Sequence, residues 1–310
     1  MLTVSLILAG ALAAQEPPKA PTADDYAGRW NVKITDAEDT FASGGFQVDR
    51  KDGALSGGVV WRSGSYLPAK SVEVTDGALV IVREEKAGKK DTFEARLVGE
   101  TLEGKVTYPD GKVHHFEGKR APLLLSKKAR VWGAPVTLFD GKTLAGWKLR
   151  DLKKKNGWAV VDGELVVVDP KDNADLVSEQ TFQDMRLHIE FNVEPKSNSG
   201  VYLRGRYEIQ ILDNPDEKMA KDAHGCGGVY SRIAPKLDAT KPAGEWQAYD
   251  ITFVGRQVTV VLNGKTIVQD VVDGITGGAI NPYEGEPGPL MLQGDHGKVR
   301  FRNIVVTPGR

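Results

Sequence analysis

The sequence contains very little cysteine and no excess of charge of either sign. Cys226 is the only cysteine among 310 residues, so no disulfide can form within the chain and its stability must come from hydrophobic cores. The 41 lysine and arginine residues nearly balance the 42 aspartate and glutamate residues, for a formal net charge of −1. The basic runs DLKKKNG and SKKAR are short and are predicted to be solvated loops. This composition argues against a nucleic-acid-binding protein.

Long hydrophobic runs are also missing. The run at the start, within MLTVSLILAGALAAQEPPKAPT, is too short to span a bilayer, and no transmembrane segment is predicted. Small residues at Ala11, Ala13 and Ala14 come before a polar, proline-containing segment, a pattern typical of a secretory signal peptide, although no Lys or Arg precedes the apolar run. We therefore predict a signal peptide over residues 1–14 and export to the periplasm or the extracellular space.

Short alternating runs separated by turn signals fill residues 25–120. The DGAL segments at Asp52 and Asp76 are typical of hairpin turns, which predicts a small antiparallel β barrel or sandwich. This first domain shows no obvious site, so we expect it to bind a partner or to act as a spacer. Residues 121–135 are the predicted linker to the rest of the chain.

Residues 136–310 contain longer and more regular strands, with hardly any helical periodicity. The Asn263-Gly264 pair between two alternating runs is a strong hairpin signal. So many long antiparallel strands predict a two-sheet sandwich, and the fold class is all-β. We expect a fragment of residues 131–310 to fold and keep its activity, unless the first domain covers the mouth of the sandwich.

Alternation along three predicted strands places polar and charged groups on one sheet face. In the runs LHIEFNV, GVYLR and YEIQI, the apolar positions Ile189, Leu203 and Ile209 are predicted to lie between the sheets. The opposite positions carry carboxylate, amide, phenol and guanidinium groups, where a solvated sheet face usually carries Thr, Lys and Ser. Such groups suit a sugar, whose hydroxyls bind polar partners. The predicted face holds Glu190, Tyr202, Arg204, Glu208 and Gln210.

Four ordered segments carry a resemblance to a known family: LFDGKTLAGW, FNVEPKSNSGVYLRGRYEIQILDN, KPAGEWQAYDITFVGRQVTVVLNGK and GPLMLQGDHGKVRFRNIVV. Together they resemble the 3-keto-disaccharide hydrolase family over about residues 136–307. The resemblance implies a concanavalin A-like jelly roll of two sheets with a concave face, and a carbohydrate substrate. It leaves the glycoside undefined and does not cover the first domain.

A ketone at C3 of such a substrate makes the C2 proton acidic, so a base can remove it and the C1 substituent can leave. His296 is the predicted base or acid because histidine titrates near neutral pH. Asp295 is predicted to orient it, Arg204 to stabilise the enolate, and Glu208 and Glu190 are rival bases. The catalytic candidates are His296, Glu208 and Arg204, and the substrate-binding candidates are Glu190, Asn198, Tyr202, Gln210, Asp213, Gln293 and Asp295.

Other interpretations stay open. The segment EIQILD resembles the E-x-D-x-x-E strand of laminarinase-like glycoside hydrolases, with Gln210 in place of the aspartate and Asp213 in place of the last glutamate. Glu208 and Asp213 would then form a retaining carboxylate pair. A lectin-like domain could hold a glycan on the same face without catalysis. Glu190, Glu208 and Asp213 could also bind a divalent metal ion, although no compact ligand spacing requires one.

Overall fold

The computed structural model of the chain describes residues 20–84, 88–125 and 128–309. The predicted signal peptide, residues 1–14, lies outside them. Within these ranges the secondary structure is almost entirely β, and no helix is long and apolar enough to cross a membrane. Two single-turn helices occur there, α1 (Ala23–Tyr26) and α2 (Glu217–Ala220).

The first eight strands form a closed antiparallel barrel, in which each strand pairs with the next and the last pairs with the first. A barrel was one of the two predicted forms of this block. The strands are β1 (Gly28–Ile34), β2 (Ser43–Lys51), β3 (Ala54–Trp61), β4 (Leu67–Thr75), β5 (Ala78–Glu84), β6 (Lys90–Val98), β7 (Thr101–Thr107) and β8 (Val113–Arg120).

Two of the barrel hairpins turn at the predicted DGAL segments. Asp52 and Gly53 have φ values of 51° and 81°, and Asp76 and Gly77 have values of 50° and 71°. Two consecutive positive φ values are what a type I′ hairpin turn requires. The barrel interior is filled by aromatic side chains, namely Trp30, Phe46, Trp61, Phe93 and Phe116.

The remaining strands form a sandwich of two sheets, as predicted. One sheet has five strands in the order β10-β13-β20-β15-β16, and the other has eight, in the order β11-β12-β21-β14-β17-β18-β19 with β9 beside β21. The strands are β9 (Val136–Thr137), β10 (Trp147–Leu149), β11 (Trp158–Val161), β12 (Glu164–Val167), β13 (Leu176–Phe182), β14 (Asp184–Val193), β15 (Asn198–Leu203), β16 (Tyr207–Leu212), β17 (Gln247–Val254), β18 (Gln257–Leu262), β19 (Lys265–Val271), β20 (Gly288–Leu292) and β21 (Val299–Gly309).

The sandwich core lies between the two sheets and confirms the predicted inward positions. Ile189, Leu203 and Ile209 are all fully buried in it. The β18–β19 hairpin turns at Asn263 and Gly264, whose φ values of 50° and 80° match the predicted turn type. Local sequence signals therefore placed both the buried face and this turn correctly.

The predicted single polar face is wrong, because its strands belong to different sheets. Glu190 lies on β14, which pairs with β17 and β21 in the eight-stranded sheet. Glu208 and Gln210 lie on β16, which pairs with β15 in the five-stranded sheet. Side chains that point away from the core in two facing sheets lie on opposite sides of a sandwich. Glu190 is therefore on the far side of the molecule from Glu208.

The barrel packs directly against the sandwich. Arg29 Nη1 on β1 lies 2.9 Å from Glu284 Oε2, and the Glu284 side chain is fully buried. Val60 of the barrel packs against Ile275 and Ala279 of the sandwich loops. Charge pairing and apolar packing both hold the two parts together.

Candidate active site

A cavity of about 320 Å³ lies where the barrel meets the outer face of the five-stranded sheet. A larger depression of about 610 Å³ on the barrel wall is lined by exposed charged groups such as Glu94 and Glu103, and so lacks an enclosed polar centre. The smaller cavity is lined by Phe41, Ser63, Arg150, Asp175, Asn198, Tyr202, Glu208, Gln210, Tyr230, Gly278, Gln293, Asp295 and His296.

The floor of the cavity is built by strict alternation on β15 and β16. Tyr202, Glu208 and Gln210 point into the cavity, while their neighbours along each strand point into the sandwich core. Gly200 makes room for the carboxylate, since a Cβ at this position would lie 2.3 Å from Glu208 Oε1. The sequence thus specifies both the direction of Glu208 and the space it occupies.

Glu208 is a carboxylic acid of the cavity whose pKa is strongly shifted. Burial raises its pKa to about 8, and the nearby carboxylates of Asp175 and Asp295 add to the rise. The Tyr202 hydroxyl donates to Glu208 Oε2 at 2.8 Å, and His296 also favours the anion, but neither outweighs burial. A carboxyl group with a pKa near 8 can both accept and release a proton close to neutral pH.

His296 and Asp295 form a hydrogen-bonded pair in the cavity lining. His296 Nδ1 lies 2.5 Å from Asp295 Oδ1, and this contact raises the pKa of His296 even though burial opposes it. Burial alone would raise the pKa of Asp295, but hydrogen bonds from His296 and Lys154 outweigh it and lower the pKa to about 2. Asp295 therefore stays ionised and is hydrogen-bonded to the imidazole of His296.

Arg150 connects the cavity to the barrel. It lies 3.3 Å from Asp175 Oδ2 and donates to the Gly278 carbonyl at 2.7 Å and to the Thr40 carbonyl at 3.0 Å. Its guanidinium also lies over the Phe41 ring, 4.6 Å from the centroid. Burial raises the pKa of Asp175 although the Arg150 charge opposes the change. This arginine fixes the barrel loop that carries Phe41 at the rim of the cavity.

Three amide side chains leave acceptors open in the cavity. Within the described part of the chain, no donor reaches Asn198 Oδ1, Gln210 Oε1 or Gln293 Oε1, although all three atoms are buried. Buried polar atoms are normally hydrogen-bonded, so three of them around one cavity indicate a place for a ligand with several donors. Hydroxyl groups would fill that role.

Tyr230 supplies a phenol from the loop that follows β16. Its backbone N–H donates to the Glu208 carbonyl at 3.0 Å, which holds this loop against the strand. Its ring stands perpendicular to His224, with centroids 4.9 Å apart. Its hydroxyl lies 3.2 Å from Ser65 Oγ of the barrel. The two parts of the molecule therefore meet at this residue.

Arg204 lies outside the cavity, contrary to the prediction. Its φ of 53° begins the turn that follows β15, so strand alternation no longer directs its side chain. The guanidinium is fully buried, 4.6 Å from the Phe253 ring centroid and 5.0 Å from that of Tyr207, and donates to the Gly255 carbonyl at 2.6 Å. Its contacts are structural, and it cannot stabilise an enolate in the cavity.

Glu190 and Asp213 are also placed elsewhere. Glu190 accepts from Arg302 Nε at 2.6 Å and from Asn303 at 2.8 Å on the outer face of the eight-stranded sheet. Asp213 follows the end of β16, accepts from the Lys196 backbone at 2.8 Å and lines a separate cavity of about 330 Å³. Neither shares a cavity with Glu208, so a Glu208–Asp213 carboxylate pair does not form.

Sequence reasoning missed six lining residues: Phe41, Ser63, Arg150, Asp175, Tyr230 and Gly278. All six lie in turns or loops, where no periodic pattern predicts the direction of a side chain. The DLKKKNG run was predicted to be solvated throughout, yet Lys154 donates to Asp295 Oδ2 at 3.1 Å. Only the packing of distant segments could identify these residues.

Metal ligation has no candidate among the residues that the structure describes. No group of three or more histidine, cysteine, aspartate or glutamate side chains there is arranged to hold an ion. Glu190, Glu208 and Asp213, the predicted alternative ligands, lie in three separate places. The arrangement in the cavity is suited to proton transfer between buried acids and bases.

Comparisons with known proteins bear on the sandwich. A 3-keto-disaccharide hydrolase of Bacteroides thetaiotaomicron is 27% identical over 166 residues, which are 43% of this chain and 57% of that protein. The chain therefore spans little more than half of that relative's length. Two crystal structures of candidate glycosyl hydrolases from Parabacteroides distasonis are 27% and 24% identical, cover 59% and 57% of this chain and 92% and 100% of their own, and give TM-scores of 0.48 and 0.46.

The family match is more extensive. Residues 134–307 match the family described as the 3-keto-alpha-glucoside-1,2-lyase-like domain. This range contains Glu208, His296 and every other cavity residue of the sandwich, whereas Phe41 and Ser63 of the barrel lie before it. More than half of the chain is covered, and the chain belongs to the 3-keto-alpha-glucoside-1,2-lyase-like domain family.

Proposed function

We propose that this protein is an enzyme that cleaves the glycosidic bond of a sugar carrying a ketone at C3, by removing the C2 proton and expelling the C1 substituent. The family match and the name of the Bacteroides relative support this substrate class. The observation that carries the proposal is a single enclosed cavity that combines Glu208, with a pKa of about 8, and the His296–Asp295 pair.

Glu208 is the base in this mechanism. A C3 ketone acidifies the C2 proton, and a general base is most effective when its pKa lies near the working pH. Burial gives Glu208 a pKa of about 8, so its anion is a stronger base than an ordinary carboxylate while part of it remains ionised near neutral pH. The Tyr202 hydroxyl, 2.8 Å from Oε2, holds the carboxyl group in place.

His296 takes the role that was predicted for Arg204. Removing the C2 proton places negative charge on the C3 oxygen, and a fixed donor that stabilises this charge lowers the barrier. His296 is held by the ionised Asp295 and has a raised pKa, so it can present a proton on Nε2. The open oxygens of Asn198, Gln210 and Gln293 would accept from the sugar hydroxyls.

A 3-keto-glucoside and its unoxidised parent, supplied separately, test this function. We expect product only from the keto sugar, and a slower reaction when its C2 carries deuterium. Glu208→Gln should lower kcat by about 100-fold or more, whereas the matched control Glu190→Gln, on the far side of the sandwich, should leave kcat unchanged. Equal activity on the parent sugar would refute the proposal and indicate a glycosidase. Saturable binding of both sugars without product would indicate a lectin.

A further inference from the structure

We infer that Tyr230 is the acid that protonates the departing C1 oxygen, and that Ser65, His224 and Asp222 form a relay that returns a proton to it. The inference rests on the proposed function and extends it, because it gives the barrel a part in the reaction. Ser65 lies in the β3–β4 turn of the barrel and outside the matched family range.

The relay is a continuous chain of short contacts. The Tyr230 hydroxyl, in the cavity lining, is 3.2 Å from Ser65 Oγ. Ser65 Oγ is 3.1 Å from His224 Nε2, and His224 Nδ1 is 2.6 Å from Asp222 Oδ1. The His224 side chain is 40% exposed, so its far end can exchange protons with solvent. A path from the cavity to bulk water therefore passes through a barrel residue.

The elimination needs such an acid. When the enolate collapses, a C1–C2 π bond forms and the C1–O bond breaks with its electron pair on oxygen, which without a donor would leave as an alkoxide. Tyr230 gives its phenolic proton to that oxygen. The phenolate takes the Ser65 hydroxyl proton, Ser65 takes the Nε2 proton of His224, and the exposed imidazole regains a proton from solvent before the next turnover. The C2 proton on Glu208 returns to water, so charge and protons balance.

A serine nucleophile is the other reading of a Ser–His–Asp arrangement, and the surroundings disfavour it. The backbone N–H after Ser65, that of Tyr66, donates to Ser231 Oγ at 2.8 Å. It is therefore not free to stabilise an oxyanion beside Ser65. The second partner of Ser65 is the Tyr230 hydroxyl, so the hydrogen-bonded relay leads into the cavity and not to a separate acyl site.

The contact between the barrel and the sandwich does not depend on the relay residues alone. The Arg29–Glu284 ion pair, the Val60–Ile275 packing and the Tyr66–Ser231 hydrogen bond already join the two parts. Ser231→Ala is therefore a matched control, since it removes one contact between barrel and sandwich and leaves every group of the relay present. Tyr230→Phe and Ser65→Ala remove the acid and its proton source separately.

Two 3-keto-glucosides that differ in the leaving group separate catalysis from docking. With a methoxide leaving group, Tyr230→Phe should lower the cleavage rate by about 100-fold and Ser65→Ala by about 10-fold. With a 4-nitrophenolate leaving group, which needs no proton, both losses should shrink to about threefold or less. Ser231→Ala should change the cleavage rates of both substrates by the same factor.

Exchange of the C2 proton with D₂O gives the second measurement, by NMR. If Tyr230 acts after proton removal, Tyr230→Phe should exchange the C2 proton for deuterium without cleaving the methyl glycoside. Glu208→Gln should show neither exchange nor cleavage. Equal losses on both leaving groups, or loss of exchange in Tyr230→Phe, would overturn the relay and leave the proposed function intact. A wild-type protein that neither cleaves nor exchanges the keto sugars would overturn both.

Discussion

The carboxylate of Glu208 occupies the space that a side chain on Gly200 would fill. A Cβ at Gly200 would lie 2.3 Å from Glu208 Oε1 and 2.9 Å from its carboxyl carbon, across paired strands of one sheet. The glycine is thus required by the position of the acid and not by a backbone angle, since its φ lies outside the left-handed region.

Gly200→Ala should therefore displace Glu208 and impair catalysis while the sandwich still folds. We expect kcat to fall by about 10-fold or more, because small displacements of a general base are costly. Gly285→Ala is the control, since its Cβ would meet Pro122 at an ordinary 3.5 Å. Steady-state kinetics measures kcat of both variants, and thermal unfolding measures their stability. Unchanged kcat in Gly200→Ala would show that Glu208 can move without consequence.

Glu208 should also give the protein a measurable dependence of stability on pH. Its pKa is about 8 in the folded protein against 4.5 for an ordinary glutamate, so the folded state holds a proton that the unfolded chain releases between these values. Its contribution is fully present below about pH 4.5 and is lost as the pH rises toward 8, by roughly 1.4 kcal/mol per pH unit. Denaturant unfolding of wild type and Glu208→Gln at pH 5, 6.5 and 8 measures the difference. A constant difference would show that Glu208 ionises normally.

Arg204 and Arg150 should respond to substitution in opposite ways. Arg204→Met leaves the Gly255 carbonyl without its donor and should destabilise the fold by about 3 kcal/mol, because a buried charged hydrogen bond is lost. Folded Arg204→Met should keep kcat and KM within about threefold of wild type. Arg150→Met, in the cavity lining, should instead lower kcat/KM by about 10-fold or more. A lower kcat in stably folded Arg204→Met would indicate that this arginine takes part in catalysis.

The Arg29–Glu284 pair should dominate the attachment of the barrel. Glu284 has no exposed side-chain surface, so Arg29→Met leaves a buried carboxylate unpaired, at a cost of about 3–5 kcal/mol. Adding Glu284→Gln should recover most of that loss. The exposed Lys105–Glu94 pair, with side chains 49% and 47% exposed, is the control, and its removal should cost under about 1 kcal/mol. Additive losses in the double variant would show that the two groups are not coupled.

The fold class, the hairpin turns and the direction of the side chains on β15 and β16 could be predicted from the sequence. These features are local. Side chains alternate along every strand, and turns such as Asn263-Gly264 need residues that tolerate positive φ. Alternation predicted one face with Glu190, Tyr202, Arg204, Glu208 and Gln210, and the structure brings Tyr202, Glu208 and Gln210 of these into one cavity.

Which strands share a sheet could not be predicted from the sequence, and this arrangement places Glu190 and Glu208 on opposite sides of the sandwich. Strand order depends on contacts between distant segments, which alternation does not encode. Side-chain alternation did not predict the direction of Arg204, because β15 ends before it. Arg150, Asp175 and Tyr230 reach the cavity from loops. The pKa of Glu208 is equally non-local, because it is raised by burial of the carboxylate in the assembled fold.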